Sequence, residues 1–80
     1  MAVTIVFLGP LQDMAGQASQ EVPAPLDWPG LLATVGDAVA EQLQQERVNV
    51  ACEGKVLTEK TQLQAHDGDE IALLPPVSGG

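Results

Sequence analysis

The residues of this chain best placed to do chemistry are Gly79 and Gly80, with the carboxylate that ends the sequence. Glycines bury no apolar surface and lose the most backbone entropy when fixed, so a terminal pair adds nothing to a packed core. A tail without side chains can enter a channel too narrow for any Cβ atom. A free carboxylate is a poor electrophile, so another enzyme must activate it, for instance as an acyl-adenylate, before sulfide or an amine attacks. The ending therefore predicts that the Gly80 carboxylate is the working group.

The segment before the glycines would aim them. Ile71 to Leu74 form a short apolar run that suits a buried strand. Pro75 and Pro76 end this strand, because neither can donate a ladder hydrogen bond and each fixes φ near an extended value. The pair favours a stiff, polyproline-like spacer that points the chain away from the sheet. We therefore expect a domain over residues 1–74 and a tail over residues 75–80.

The rest of the chain offers little for catalysis. It has one cysteine and one histidine, whereas a metal site needs three or four converging ligands. Cys52 lies in an alternating apolar segment, where cysteine is usually a small buried hydrophobe. His66, beside Asp67 and Gly68, is predicted to be a solvated turn residue. The glycines match no phosphate-binding pattern, so we expect no bound cofactor and no metal.

Composition narrows the class of protein. The chain has 80 residues, which make one domain, and 45% of them are hydrophobic, which suits a globular fold. No apolar run approaches the roughly 18 residues of a membrane span, and no basic n-region marks the N-terminus for export. Together with the lone cysteine, this predicts a cytoplasmic protein. Eleven acidic against three basic residues, for a net charge of −8, argue against nucleic acid or anionic membrane as partners.

The first and last predicted strands each have two largely apolar faces. Val3 to Leu8 are rich in β-branched residues and predict a first strand. If every second residue from Val3 faces a helix, the residues between them face outward. The final strand alternates in the same way, so its outer residues would join those of the first strand beside the root of the tail. This apolar patch is the predicted partner interface: Val6, Leu8, Ala72 and Leu74.

Shorter strands are predicted between these two. Gln20 to Val22 predict a second strand, which nearby prolines weaken and place at an edge. Val48 to Cys52 alternate and predict a third strand. A Glu-Gly turn then leads to a short strand over Lys55 to Leu57. Thr58 to His66 are polar and are predicted to form a loop.

A helical region is predicted after the second strand. Asp27 is a good N-cap, and Pro29 falls in the first turn, where its missing N–H costs nothing. Trp28 is predicted to cover the helix end. Gly36 and Asp37 interrupt the run, so we expect a broken helix or two short helices in tandem. The apolar residues of this region fall close to one helical face: Leu31, Leu32, Val35, Val39 and Leu43.

The ending from Asp67 to Gly80, Asp-Gly-Asp-Glu-Ile-Ala-Leu-Leu-Pro-Pro-Val-Ser-Gly-Gly, resembles that of the small subunit of molybdopterin synthase, a ubiquitin-like sulfur carrier. Length and element order agree along the whole chain. The Pro-Pro pair favours this branch over the thiamine and tRNA-thiolation carriers. From the residues alone the fold class is α+β. The resemblance implies a β-grasp (ubiquitin-like) fold, with a mixed sheet packed on one main helix, parallel first and last strands, and a flexible Gly-Gly tail.

The resemblance also implies a function in molybdenum cofactor biosynthesis. An E1-like adenylating enzyme would use ATP to adenylate the Gly80 carboxylate, and a sulfur donor would convert it to a thiocarboxylate. The carrier would dock on the large synthase subunit, in a heterotetramer of two small and two large subunits, and donate sulfur to a cyclic pterin precursor. The large subunit would supply the catalytic side chains. The tail residues expected to aim and thread are Pro75, Pro76, Val77, Ser78 and Gly79.

Three alternatives remain open at this point. The first is a sulfur carrier for thiamine or for tRNA thiolation. The second is a ubiquitin-like modifier joined through Gly80 to lysine side chains of target proteins. The third is a binding module with an incidental tail, from which Gly80 could be removed without loss.

Overall fold

The structure is a computed structural model that describes residues 1–76. Seven strands, two tandem helices, a short first helix and a 3₁₀ turn alternate along this part of the chain. In chain order they are β1 (Ala2–Phe7), α1 (Pro10–Ala15), β2 (Ser19–Pro23), β3 (Leu26–Asp27), α2 (Trp28–Val35), α3 (Asp37–Leu43), β4 (Asn49–Cys52), β5 (Lys55–Val56), the 3₁₀ helix (Lys60–Gln62), β6 (Gln64–Ala65) and β7 (Glu70–Leu74).

The main sheet has five strands in the order β2-β1-β7-β4-β5. Its central pair, β1 and β7, is parallel, whereas the other neighbouring strands are antiparallel. A parallel pair needs a crossover connection, and here most of the chain supplies it. The helices pack on one face of this mixed sheet through the buried core, which confirms the predicted α+β, β-grasp architecture. The proline-weakened strand β2 lies at an edge, as predicted.

Alternation along the central strands decides which residues form the core. Val3, Ile5 and Phe7 of β1 and Ile71 and Leu73 of β7 are buried, each at most 2% exposed. We call the face that carries them the inner face. The register continues it across the sheet, because Ile5 pairs with Ile71 and Leu73 pairs with both Phe7 and Val50. The core is completed by residues from the helices and loops: Leu11, Leu26, Leu31, Val39, Leu43, Val48 and Leu63.

The helical region begins and breaks where the sequence predicts. Asp27 caps α2, accepting a hydrogen bond at 2.9 Å from the Gly30 backbone N–H through its Oδ1 atom. Gly36 separates α2 from α3 with φ of 89°, in the left-handed region that glycine adopts without a Cβ clash. The region is therefore two helices in tandem. Trp28 packs against the core at the start of α2, as predicted.

The segment predicted as a loop, Thr58 to His66, contains regular structure. It forms the 3₁₀ helix and the strand β6, which pairs antiparallel with β3 in a separate two-stranded sheet. Leu63 and Ala65 from this segment are buried in the core. The pairing joins residues far apart in sequence and involves only two residues on each strand. So short a polar segment has no periodicity that would have indicated it.

Lys60 ties this segment to the end of α3. Its Nζ atom donates hydrogen bonds to the backbone carbonyl oxygens of Gln45 and Val48. The same atom lies 6.0 Å from the centroid of the Trp28 ring, at the limit of a cation–π contact. Burial is the main cause that lowers the pKa of Lys60, although Glu59 and Glu46 act in the opposite direction. Lys60 is therefore a structural tie. No helix within residues 1–76 is long and apolar enough to cross a bilayer.

Candidate functional site

The root of the predicted tail lies at the end of the central strand pair. Since β1 and β7 are parallel, both reach the same edge of the sheet, where β7 ends at Leu74. Pro75 follows half-buried and Pro76 exposed. Neither belongs to a strand, which confirms that the proline pair ends β7. The remaining tail residues predicted to thread and to carry the working carboxylate, Val77 to Gly80, lie outside the described residues.

Gly9 holds Pro75 at this edge. It lies in the turn between β1 and α1 with φ of 57°, and a Cβ atom added there would lie 3.2 Å from Pro75 Cγ. The proline ring therefore packs against backbone that carries no side chain. No local sequence pattern singles out Gly9 for this contact. Its contact with Pro75 joins residues at opposite ends of the chain and depends on the tertiary fold.

The outer face of the main sheet carries the predicted apolar patch. Val6 pairs with Ala72, and Ala72 pairs on its other side with Ala51. Ala51 in turn pairs with Val56 on the edge strand β5. Directly paired residues on neighbouring strands point to the same face of a sheet. An apolar row, consisting of Val6, Ala72, Ala51 and Val56, therefore crosses four strands.

Two leucines extend this row toward the tail root. Leu8 is 38% exposed and lies one residue beyond the end of β1. Leu74 is half-buried and pairs with Asn49. The structure thus brings Val6, Ala72 and Leu74 to one face and places Leu8 just beyond the end of β1, and docking of a partner there stays a prediction. Val56, which is 57% exposed, also lies on this face but was not among the predicted interface residues. The predicted strand that contains Val56 is too short for its alternation to assign the residue to a face of the sheet.

Cys52 is the only cysteine, and its surroundings make it a poor nucleophile. It pairs with Ile71 on the inner face at the edge of the sheet, where it is half-buried against the core. Its Sγ atom lies 4.0 Å from Asp69 Oδ2. Burial raises the pKa of the Cys52 thiol, and the carboxylates of Asp69 and Glu53 raise it further. Since the thiolate is the reactive form, these surroundings lower the nucleophilicity of the Cys52 thiol.

His66 lies in the turn before β7. Its side chain is 76% exposed, and its Nδ1 atom is 3.8 Å from Asp69 Oδ2, so it is the solvated turn residue that was predicted. Asp69 also accepts a hydrogen bond from the His66 backbone N–H at 2.8 Å, which stabilises the turn. Within residues 1–76, no group of three His, Cys, Asp or Glu side chains is arranged to hold a metal ion.

Two open cavities lie beside β3 and β6, away from the tail root. One of about 280 Å³ is lined by residues that include Pro25 and His66. The other, of about 460 Å³, is lined by residues that include Trp28 and Gln62. Asp27 borders both cavities, but its carboxylate already caps α2.

Comparison with known proteins gives one family and several structural neighbours. Residues 5–80 match the ThiS family. No curated protein sequence matches the chain. Among solved structures, it is similar to a chain of the protein–protein complex of subunits 1 and 2 of the molybdopterin-converting factor from Helicobacter pylori 26695. The TM-score is 0.67 and the identity 26%, and the match covers 100% of both chains.

Two further solved structures are similar in fold. SAMP1 from Haloferax volcanii matches with a TM-score of 0.73 at 24% identity, and the match covers 100% of both chains. A chain of the BexX/CysO complex from Amycolatopsis orientalis matches with a TM-score of 0.73 at 21% identity, covering 99% of this chain and 100% of that one. At these identities the likeness shows a shared fold.

Proposed function

Because this chain belongs to the ThiS family of ubiquitin-like sulfur carriers, we propose that it is the sulfur-carrying small subunit of a molybdopterin synthase. The Gly80 carboxylate would carry the sulfur as a thiocarboxylate, and the recipient would be a cyclic pterin precursor of the molybdenum cofactor. The chain itself would deliver the sulfur, and the partner would supply the catalytic side chains.

One observation supports this proposal most directly. The strand that leads to the tail, β7, contributes Ala72 to the partly exposed apolar row two residues before it ends, and Pro75 packs on Gly9 beside that end. A partner that covers the row therefore receives the tail next to its own surface. Tethering the sulfur in this way raises its effective concentration at the acceptor, so that free sulfide need not diffuse. The similarity to the Helicobacter pylori complex, in which two subunits associate, supports a second subunit as the partner.

The chemistry of the carboxylate balances in three steps. A Gly80 carboxylate oxygen attacks the α-phosphorus of ATP and displaces pyrophosphate, which gives the acyl-adenylate. A donor at the oxidation level of sulfide then attacks the carbonyl carbon and displaces AMP, leaving the thiocarboxylate. In the partner, the thiocarboxylate sulfur would attack a carbon of the acceptor and displace an oxygen leaving group from it. Water would then hydrolyse the acyl–sulfur bond, which restores the Gly80 carboxylate and leaves a thiol on the acceptor. Activation and sulfur supply both come from other enzymes in this scheme.

The decisive experiment is the intact mass of the untagged protein after incubation with ATP, a sulfide donor and the host's adenylating enzyme. We expect a gain equal to the exchange of one oxygen for sulfur. The matched control is the variant that lacks Gly80. It should fold equally well, because the residues of the described core all precede the deleted one in the sequence, and it should show no gain.

Two outcomes would contradict the proposal. If the adenylating enzyme acts on another carrier but this chain gains no sulfur, the carrier function is wrong. If the chain gains sulfur but the large synthase subunit does not accept it, the chain is a sulfur carrier for a different product.

A further inference from the structure

The outer face of the sheet is not uniformly apolar. Thr4 precedes Val6 by two residues on β1 and lies on the same face. It pairs with Glu21 of β2 on one side and with Glu70 of β7 on the other. Both glutamates are exposed. The strand spacing places their backbones about 10 Å apart, and Glu21 and Glu70 together form what we call the acidic row.

The two rows are in a fixed arrangement. Thr4 precedes Val6 by two residues on β1, and Glu70 precedes Ala72 by two residues on β7, so the rows lie about 7 Å apart along the strands. The apolar row is on the side of the tail root and the acidic row is on the far side. The outer face therefore changes from negative to apolar in the direction in which the tail leaves.

Neither glutamate of the acidic row forms a salt bridge within the described part of the chain. Among residues 1–76 the structure contains one contact of salt-bridge length, between His66 and Asp69. Like charges on one face of a sheet do not stabilise it. The acidic row thus contributes no evident stability to the fold, whereas its negative charge is available to a partner that approaches the sheet.

We propose that the acidic row and the apolar row form one docking face, whose occupant is a protein with an apolar patch bordered by Lys or Arg side chains. This inference rests on the proposed function, which identifies that protein as the sulfur-accepting subunit. A purely apolar patch would tolerate docking in either direction along the strands. Because only one end of the docking face is charged, only one orientation of the partner brings its Lys or Arg side chains to the acidic row and its apolar patch to the apolar row. In that orientation the tail root lies against the apolar part of the partner.

The test measures association of the unmodified chain with the host's large synthase subunit at several salt concentrations. In the double variant Glu21→Gln/Glu70→Gln we expect the association rate constant at low salt to fall about two- to fivefold per carboxylate. We also expect a weaker dependence of that rate on salt, because rim charges act mainly through electrostatic steering.

The matched control is Glu41→Gln/Glu46→Gln, which changes the net charge equally. Both glutamates are exposed, on or just after helix α3 on the opposite side of the sheet. We expect this variant to associate nearly as fast as the unmodified chain. Thermal unfolding of both variants should occur near the temperature of the original protein, since none of the four side chains is buried.

Equal loss of rate in both double variants would overturn the inference, because net charge alone would then explain the steering. An unchanged rate in Glu21→Gln/Glu70→Gln would overturn it as well, since the partner would lack the basic border. A large subunit that does not bind the unmodified chain would remove the assigned occupant. Sulfur loading of Gly80, measured by mass without that subunit, tests the carrier function separately from all three outcomes.

Discussion

The two faces of the main sheet are built from the same strands and from similar residues, yet they differ in what their side chains do. On the inner face, Ile5 and Leu73 are completely buried and join the helices to the sheet. On the outer face, Val6 and Leu74 are half-buried, and Leu8 and Val56 are the most exposed of the apolar residues there. Hydrophobicity alone therefore does not separate a residue that stabilises the fold from one that is available to a partner.

Leu73 and Leu74 make this comparison within one dipeptide. They have the same side chain and are neighbours on β7, but the alternation of the strand sends them to opposite faces. Leu73 contributes to the core, whereas Leu74 lies at the tail root. Substitution of these two residues separates the roles of the faces more directly than any pair of distant residues could.

The largest expected effect comes from Leu73→Ala, compared with Leu74→Ala. Removing a fully buried leucine side chain leaves a cavity and should lower the free energy of unfolding by about 2–5 kcal/mol. Leu74→Ala should cost about 1 kcal/mol or less, because that side chain is already partly in water. Urea unfolding of the two variants measures both values. Equal losses would mean that the outer face is also part of the core.

A second effect, on binding, is expected from Leu74→Glu. A carboxylate within the predicted apolar contact would be buried without a partner, which costs roughly 1–3 kcal/mol or more. Affinity for the large subunit should therefore fall about tenfold, while the unfolding curve changes little. The control is Met14→Glu on α1, which alters another exposed apolar residue away from the outer face. If both variants bind normally, the apolar row is not the interface.

The smallest expected effect concerns Cys52, which lies on the inner face at the end of β4, where it is half-buried. Because burial and neighbouring carboxylates raise the pKa of its thiol in the folded protein, its alkylation rate should rise at higher pH than in the urea-unfolded chain. The contribution of this group to stability is present below the unfolded-state pKa and is lost as the pH rises through the folded-state pKa.

Measuring the rate of iodoacetamide alkylation against pH, in folded and unfolded protein, checks this prediction. Cys52→Ala should remove the corresponding part of the pH dependence of stability. An alkylation profile for the folded protein at the same or lower pH than for the unfolded chain would show that the edge of the inner face does not protect the thiol.

Much of the architecture was predictable from local patterns. The β-branched alternation of Val3 to Phe7 indicated β1 and its inner face, and the cap at Asp27 and the break at Gly36 indicated the tandem helices. These features depend on residues close together in sequence, so single-sequence reasoning detects them. The candidate site was predicted in part. The outer positions followed from alternation, but Gly9 and Val56 did not, because their places depend on contacts between distant segments.

The sequence by itself determined the five strands of the main sheet, the start and the break of the tandem helices, the tail-directing proline pair and the surplus of negative charge. Each of these arises from backbone restriction, side-chain periodicity or composition, which are properties of short segments. Only the tertiary structure decided that β6 pairs with β3, that Lys60 ties the end of α3, that Pro75 rests on Gly9, and that Glu21 and Glu70 flank Thr4. These contacts join residues distant in the chain, and their free energy depends on a register that no local segment specifies.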